Sequence, residues 1–234
     1  MIVSALACVA FTCGRGNSPS AGGSGGQGVR TPESARASDA ARGLTPDPRH
    51  VVLFFGTSLT AGLGLESHEA FPALIQLKID SAGLPYRVVN GGVSGETSAA
   101  GRRRIDWLLQ QPVDVLVLEL GANDALRGQD LTMAKANLQV IINRTRARYP
   151  RVRVVVAGME APPNLGRRYT REFRNIFTAL ARENHATLIP FLLDSVAGNP
   201  DLNQPDGIHP TAAGARIVAG NVWRVLEPLL RPKA

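Results

Sequence analysis

Asp206-Gly207-Ile208-His209-Pro210 sets a carboxylate and an imidazole three residues apart on one short turn. That spacing lets the Asp206 carboxylate reach the His209 ring, orient it and stabilise its protonated form. A base held in this way can activate a hydroxyl. Ser58, in Gly56-Thr57-Ser58-Leu59-Thr60, offers one directly after an apolar run. The motif is not the G-x-S-x-G turn, because Thr60 stands where its second glycine belongs. Two further segments offer donors for a developing negative charge. In Gly91-Gly92-Val93-Ser94-Gly95-Glu96-Thr97, Gly95 allows the backbone to approach a ligand and present its N–H. In Glu119-Leu120-Gly121-Ala122-Asn123-Asp124, the neutral Asn123 amide donates without titrating. With the Ser58 N–H these make three oxyanion donors, and the predicted chemistry is acyl transfer. Taken singly, each segment also reads as an ordinary feature: a Gly/Ser turn, a glycine turn into a helix, an Asx-turn or cap.

Such groups need a scaffold that gathers four distant segments. Val51 to Phe55 is a continuous apolar run with β-branched and aromatic residues, which predicts a strand buried on both faces. Further strands are predicted at Tyr86 to Asn90, Val113 to Leu118, Val152 to Ala157 and Thr187 to Pro190. Helices are predicted over Ala70 to Ser81, from a Thr97 cap to Gln110, Leu131 to Tyr149, Arg168 to Asn184 and Thr211 to Leu230. Strands alternating with helices of ten or more residues give a parallel sheet covered on both faces. The expected fold is α/β, a five-stranded sheet in flavodoxin-like order. In such sheets ligands bind beyond the carboxyl ends of the strands, where Ser58, Gly95 and Asn123 fall.

The 234 residues fit one domain preceded by a tail, with 44% hydrophobic residues. Met1 to Thr12 is apolar but too short to span a bilayer, and Gly14 to Gly28 is a Gly/Ser-rich tether. Residues 1–48 are therefore expected to be leader and linker, with the folded domain over 49–234. The leader predicts an exported protein, and Cys13 ahead of its tether is a candidate lipid anchor. Cys8 and Cys13 are the only cysteines, so the body has no cysteine nucleophile or cysteine zinc site. No H-x-x-x-H or similar pair occurs among the four histidines, and no metal or cofactor is predicted. The net charge is +7, carried mainly by scattered arginines. Arg102-Arg103-Arg104 has no interleaved aromatic residues, so no nucleic-acid partner is predicted.

Taken in order along the chain, Ser58, Gly95, Asn123 and His209, with Asp206 in a D-x-x-H pair, resemble the four blocks of the GDSL/SGNH hydrolases. The likeness runs from about Val51 to Leu230. Gly121 to Gly128 and Ala161 to Tyr169 resemble the bacterial arylesterase, thioesterase I and lysophospholipase branch. The resemblance implies the three-layer α/β/α fold of that family and a cofactor-free serine esterase acting on short to medium acyl or aryl esters. Thioesters and lysophospholipids fall within the implied range. It implies substrate contacts from Thr57, Leu59, Asp124, Pro163 and Ile208, and a mobile loop over Ala161 to Tyr169 lining an acyl pocket. The expected partner is a small-molecule ester bound by a monomer. One position departs from the family: Thr57 stands where its members carry an aspartate that supports the turn. A carbohydrate acetyl-esterase or a non-catalytic binding domain on the same fold are the alternatives. A nucleotide-binding flavodoxin-like protein is disfavoured, since neither a Walker motif nor G-x-G-x-x-G follows the first strand.

Overall fold

The computed structural model describes residues 47–232. The leader, the Gly/Ser tether and Cys13 lie outside the described residues. Five strands form one sheet: β1 (His50–Gly56), β2 (Tyr86–Asn90), β3 (Val115–Glu119), β4 (Arg153–Ala157) and β5 (Thr187–Ile189). All pairings are parallel and the order is β2-β1-β3-β4-β5, as expected for a flavodoxin-like sheet. Seven α-helices accompany them: α1 (Ser58–Ala61), α2 (Phe71–Ser81), α3 (Ser98–Leu108), α4 (Ala122–Leu126), α5 (Leu131–Arg148), α6 (Arg167–Glu183) and α7 (Ala212–Leu230). The predicted elements recur with ends shifted by one or two residues. The two short helices α1 and α4 and a 3₁₀ turn at Pro163–Leu165 were not predicted. Each is under six residues, too short to show a 3.6-residue period.

The layering follows from handedness. The crossover from β1 to β2 moves one way along the sheet, whereas those from β2 to β3, β3 to β4 and β4 to β5 move the other way. Right-handed connections then put α2 on one face and α3, α5 and α6 on the opposite face. Accordingly α2 packs on the returning α7, α3 on α5, and α5 on α6. The middle strands are apolar throughout because both faces are covered: Val52 to Phe55, Val115 to Leu118 and Val154 to Ala157 are all buried. The direction of connection reverses between β1 and β3, and the crevice at their carboxyl ends is where this architecture holds ligands. Ser58 and Asn123 stand on either side of it.

The β2 edge is covered by a side chain. Gln76 of α2 accepts a hydrogen bond from the Val88 N–H at 2.6 Å and donates to the Tyr86 carbonyl at 3.3 Å. It fills the edge as a partner strand would, which hinders edge-to-edge pairing between molecules. Gln76→Ala leaves both backbone groups without this partner. We expect a loss of about 1–3 kcal/mol in chemical denaturation, together with increased light scattering on storage.

Candidate active site

The site is assembled by the loops that leave β1, β2 and β3 and by the turn that enters α7. Ser58 is the first residue of α1, so its N–H lies in a first helical turn and has no intrahelical acceptor. Its Oγ lies 2.8 Å from His209 Nε2. On the far side of the ring, His209 Nδ1 lies 2.6 Å from Asp206 Oδ2. Hydroxyl, imidazole and carboxylate are thus joined in series, with the ring tautomer fixed by the carboxylate.

The turn around Asp206 is built to hold that carboxylate. Asp206 Oδ1 accepts the backbone N–H groups of Ile208 and His209 at 2.9 and 3.0 Å. These contacts favour the ionised form. The His209 N–H, the His209 ring and the Ile208 N–H hold the carboxyl down at about 2, although its side chain is 45% exposed. The flanks of the turn are stitched to the body. Gln204 N–H donates to the His209 carbonyl, Thr211 N–H to the Leu202 carbonyl, and the Gln204 amide to the Leu63 carbonyl in the loop after α1. The Thr211 side chain caps α7 by accepting from the Gly214 N–H.

Gly95 has φ +76°, a conformation that favours glycine. Its carbonyl accepts from Arg127 at 3.0 Å, which fixes the peptide that follows. The same loop is held by Glu96, whose carboxylate pairs with the Arg104 guanidinium, and Arg104 also donates to the Gly91 carbonyl. Asn123 follows Gly121, which has φ +114°. One hydrogen of the Asn123 amide goes to the Glu96 carbonyl at 3.0 Å, which orients the amide and leaves its second hydrogen for another acceptor. Among the described residues, neither the Ser58 nor the Gly95 N–H donates to a backbone acceptor.

Ser58, Gly95, Asn123 and His209 line one cleft of about 860 Å³. Its walls are mainly apolar and include Leu59, Leu63, Leu126, Met159, Pro163 and Leu193. Among the described residues, Glu160 is the only carboxylate in the lining, and neither lysine nor arginine contributes to it. Leu59, Pro163 and Ile208 therefore stand where substrate contacts were expected.

One expected substrate contact, Asp124, needs correction, and a second, Thr57, reaches the cleft with its hydroxyl turned away. The Asp124 carboxylate is buried and turned away from the cleft, accepting from the N–H and hydroxyl of Ser98 at 2.7 and 2.6 Å. It fastens α4 to the start of α3. Thr57 borders the cleft, but its hydroxyl faces inward, 3.0–3.1 Å from the Glu119 carboxyl oxygens. The sequence reading named neither Glu119 nor the Glu96–Arg104 pair as part of the site. A carboxyl closing the otherwise apolar run Val115–Glu119 was the available signal for the first.

Comparison with known proteins identifies the family. The model of the GDSL-like lipase/acylhydrolase family matches residues 54–217. Esterase TesA of Pseudomonas aeruginosa is 39% identical over 180 residues, covering 76% of this chain and 89% of that protein. Thioesterase 1/protease 1/lysophospholipase L1 of Escherichia coli K12 is 36% identical over 181 residues, 76% of this chain and 84% of that one. Among solved structures, the psychrotrophic esterase EstA from Pseudoalteromonas sp., inhibited by monoethylphosphonate, superposes with TM-score 0.73 at 31% identity. The match covers 77% of this chain and 98% of that one. The chain belongs to the GDSL-like lipase/acylhydrolase family and is a carboxylic ester hydrolase.

Proposed function

We propose that this hydrolase works through an acyl-enzyme on Ser58. His209 takes the Ser58 proton as Oγ attacks the ester carbonyl carbon, and Asp206 stabilises the imidazolium that forms. The Ser58 and Gly95 N–H groups and the Asn123 amide bind the oxyanion of the tetrahedral intermediate. The imidazolium returns its proton to the departing alcohol. Water then attacks the acyl-enzyme, with His209 again as base, and the acid is released. The observation that carries this reading is the series of 2.6 and 2.8 Å contacts from Asp206 through His209 to Ser58.

The cleft also bears on the substrate. An apolar lining without cations suits uncharged esters with short to medium acyl or aryl groups, bound by a single chain. The esterase and thioesterase relatives support the same range, thioesters and lysophospholipids included. Leu59, Pro163 and Ile208 would contact the bound ester. A series of p-nitrophenyl esters from acetate upward measures that range directly.

Ser58→Ala is expected to abolish hydrolysis of p-nitrophenyl acetate and labelling by a fluorophosphonate probe, while the thermal transition stays in place. Activity near that of the wild type would overturn the assignment. Asn123→Ala removes one oxyanion donor, and kcat is expected to fall roughly 10²–10³-fold. Asp206→Asn leaves His209 without its carboxylate, and kcat should fall roughly 10²–10⁴-fold.

The same variant carries a stability signature. Asp206 titrates at about 2 in the folded protein, below its ordinary value, so its contribution to stability is present above that ordinary value. It disappears as the pH falls through about 2. The difference in Tm between wild type and Asp206→Asn should therefore be small at neutral pH, given the exposure of the carboxylate, and should close on acidification.

A further inference from the structure

Glu119 is a buried carboxyl that the proposed acyl transfer does not use. It ends β3, aligned with Gly56 at the end of β1, and is 1% exposed. Its hydrogen bonds all go to the turn that carries Ser58. Oε2 accepts from the Thr57 N–H at 2.8 Å and from the Thr60 hydroxyl at 2.8 Å, and the Thr57 hydroxyl lies 3.0 Å from Oε1. These partners flank Ser58 on both sides. Gly56 makes the approach possible: a Cβ there would lie 2.4 Å from Glu119 Oε2 and 2.1 Å from Thr60 Oγ1.

The network also accounts for Thr57. As the N-cap of α1, Thr57 makes no side-chain capping bond, because its hydroxyl is turned to Glu119 instead. We infer that Glu119 is a positioning residue for ester hydrolysis: through Thr57 and Thr60 it sets the backbone of the 56–60 turn, and with it the direction of the Ser58 hydroxyl and N–H. The inference rests on the role given to Ser58 above. Displacing a reacting group by as little as about 1 Å can cost roughly 10²-fold in rate.

Burial pushes the carboxyl up, against the opposing effect of its hydrogen bonds from Thr57 and Thr60. Thr57 and Thr60 are the residues that donate to it. The Thr57 hydroxyl donates to Oε1, and the Thr57 N–H and the Thr60 hydroxyl donate to Oε2, so every contact runs from the turn to the carboxyl.

The test uses the full chain with Thr57→Val, Thr57→Ser and Glu119→Gln, assayed on a p-nitrophenyl ester alongside thermal unfolding. Thr57→Val removes only the hydroxyl. We expect kcat to fall roughly tenfold or more with KM within about twofold, and Tm to stay within a few degrees. Thr57→Ser restores the hydroxyl and should recover kcat to within a few-fold. Glu119→Gln exchanges one accepting oxygen for an amide donor and should lower kcat with KM little changed. The proposal is overturned if Thr57→Val keeps wild-type kcat, if its loss merely tracks the unfolded fraction, or if Glu119→Gln keeps wild-type kcat. Ser58→Ala separates the two readings. Full activity there removes the nucleophile itself, whereas an inactive Ser58→Ala beside an unaffected Thr57→Val removes only the role of Glu119.

Discussion

The 2.8 Å contact between Ser58 and His209 joins residues 151 positions apart and sets what the rest of the fold has to achieve. Ser58 leaves the first strand, and His209 enters the last helix. A parallel sheet meets that demand because every strand ends at the same edge, so residues distant in sequence share one rim. The reversal between β1 and β3 opens the crevice, and α7 returns to pack on α2, which carries the His209 turn back beside β1. Contact between the two side chains then depends on short-range fastening. The Gln204 amide on the Leu63 carbonyl ties the two loops together, and the Thr211 N–H on the Leu202 carbonyl closes the His209 loop on itself.

Buried polar groups do much of this fastening, and each has partners within the site. Asp124 takes two bonds from Ser98, Glu96 pairs with Arg104, and Glu119 hangs from Thr57 and Thr60. A buried polar atom left unpaired costs more than a made hydrogen bond returns. Such groups therefore tolerate few alternative arrangements, which confers precision on the loops they hold. Arg104 adds a contact of a different kind, with its guanidinium 4.8 Å from the centre of the Phe55 ring. The loop after β2 is thus fastened to β1 as well as to α3.

The long elements were legible in the sequence because periodicity reports burial, and burial here is regular. Val51 to Phe55 reads as a two-sided strand and is one. Asp206 and His209 were legible for a separate reason: their partnership is local, three residues apart, and needs no knowledge of the fold. Glu119 was hidden because its partners lie 59 and 62 positions away and come together only through the register of β1 with β3. Asp124 misled in the opposite direction. It adjoins Asn123 in sequence, but successive residues of a helix point in different directions, and its carboxylate faces Ser98 rather than the cleft.

The charge of the cleft lining has a consequence for the end of the catalytic cycle. Hydrolysis converts a neutral ester into a carboxylate anion. In the proposed cycle that anion forms in a cleft whose lining, among the described residues, holds one carboxylate, Glu160, itself paired with Arg174 at 2.9 Å, and neither lysine nor arginine. Without a cation in the walls, the product meets no partner for a charge-assisted bond. On that reading, release of the acid breaks no ion pair with the lining.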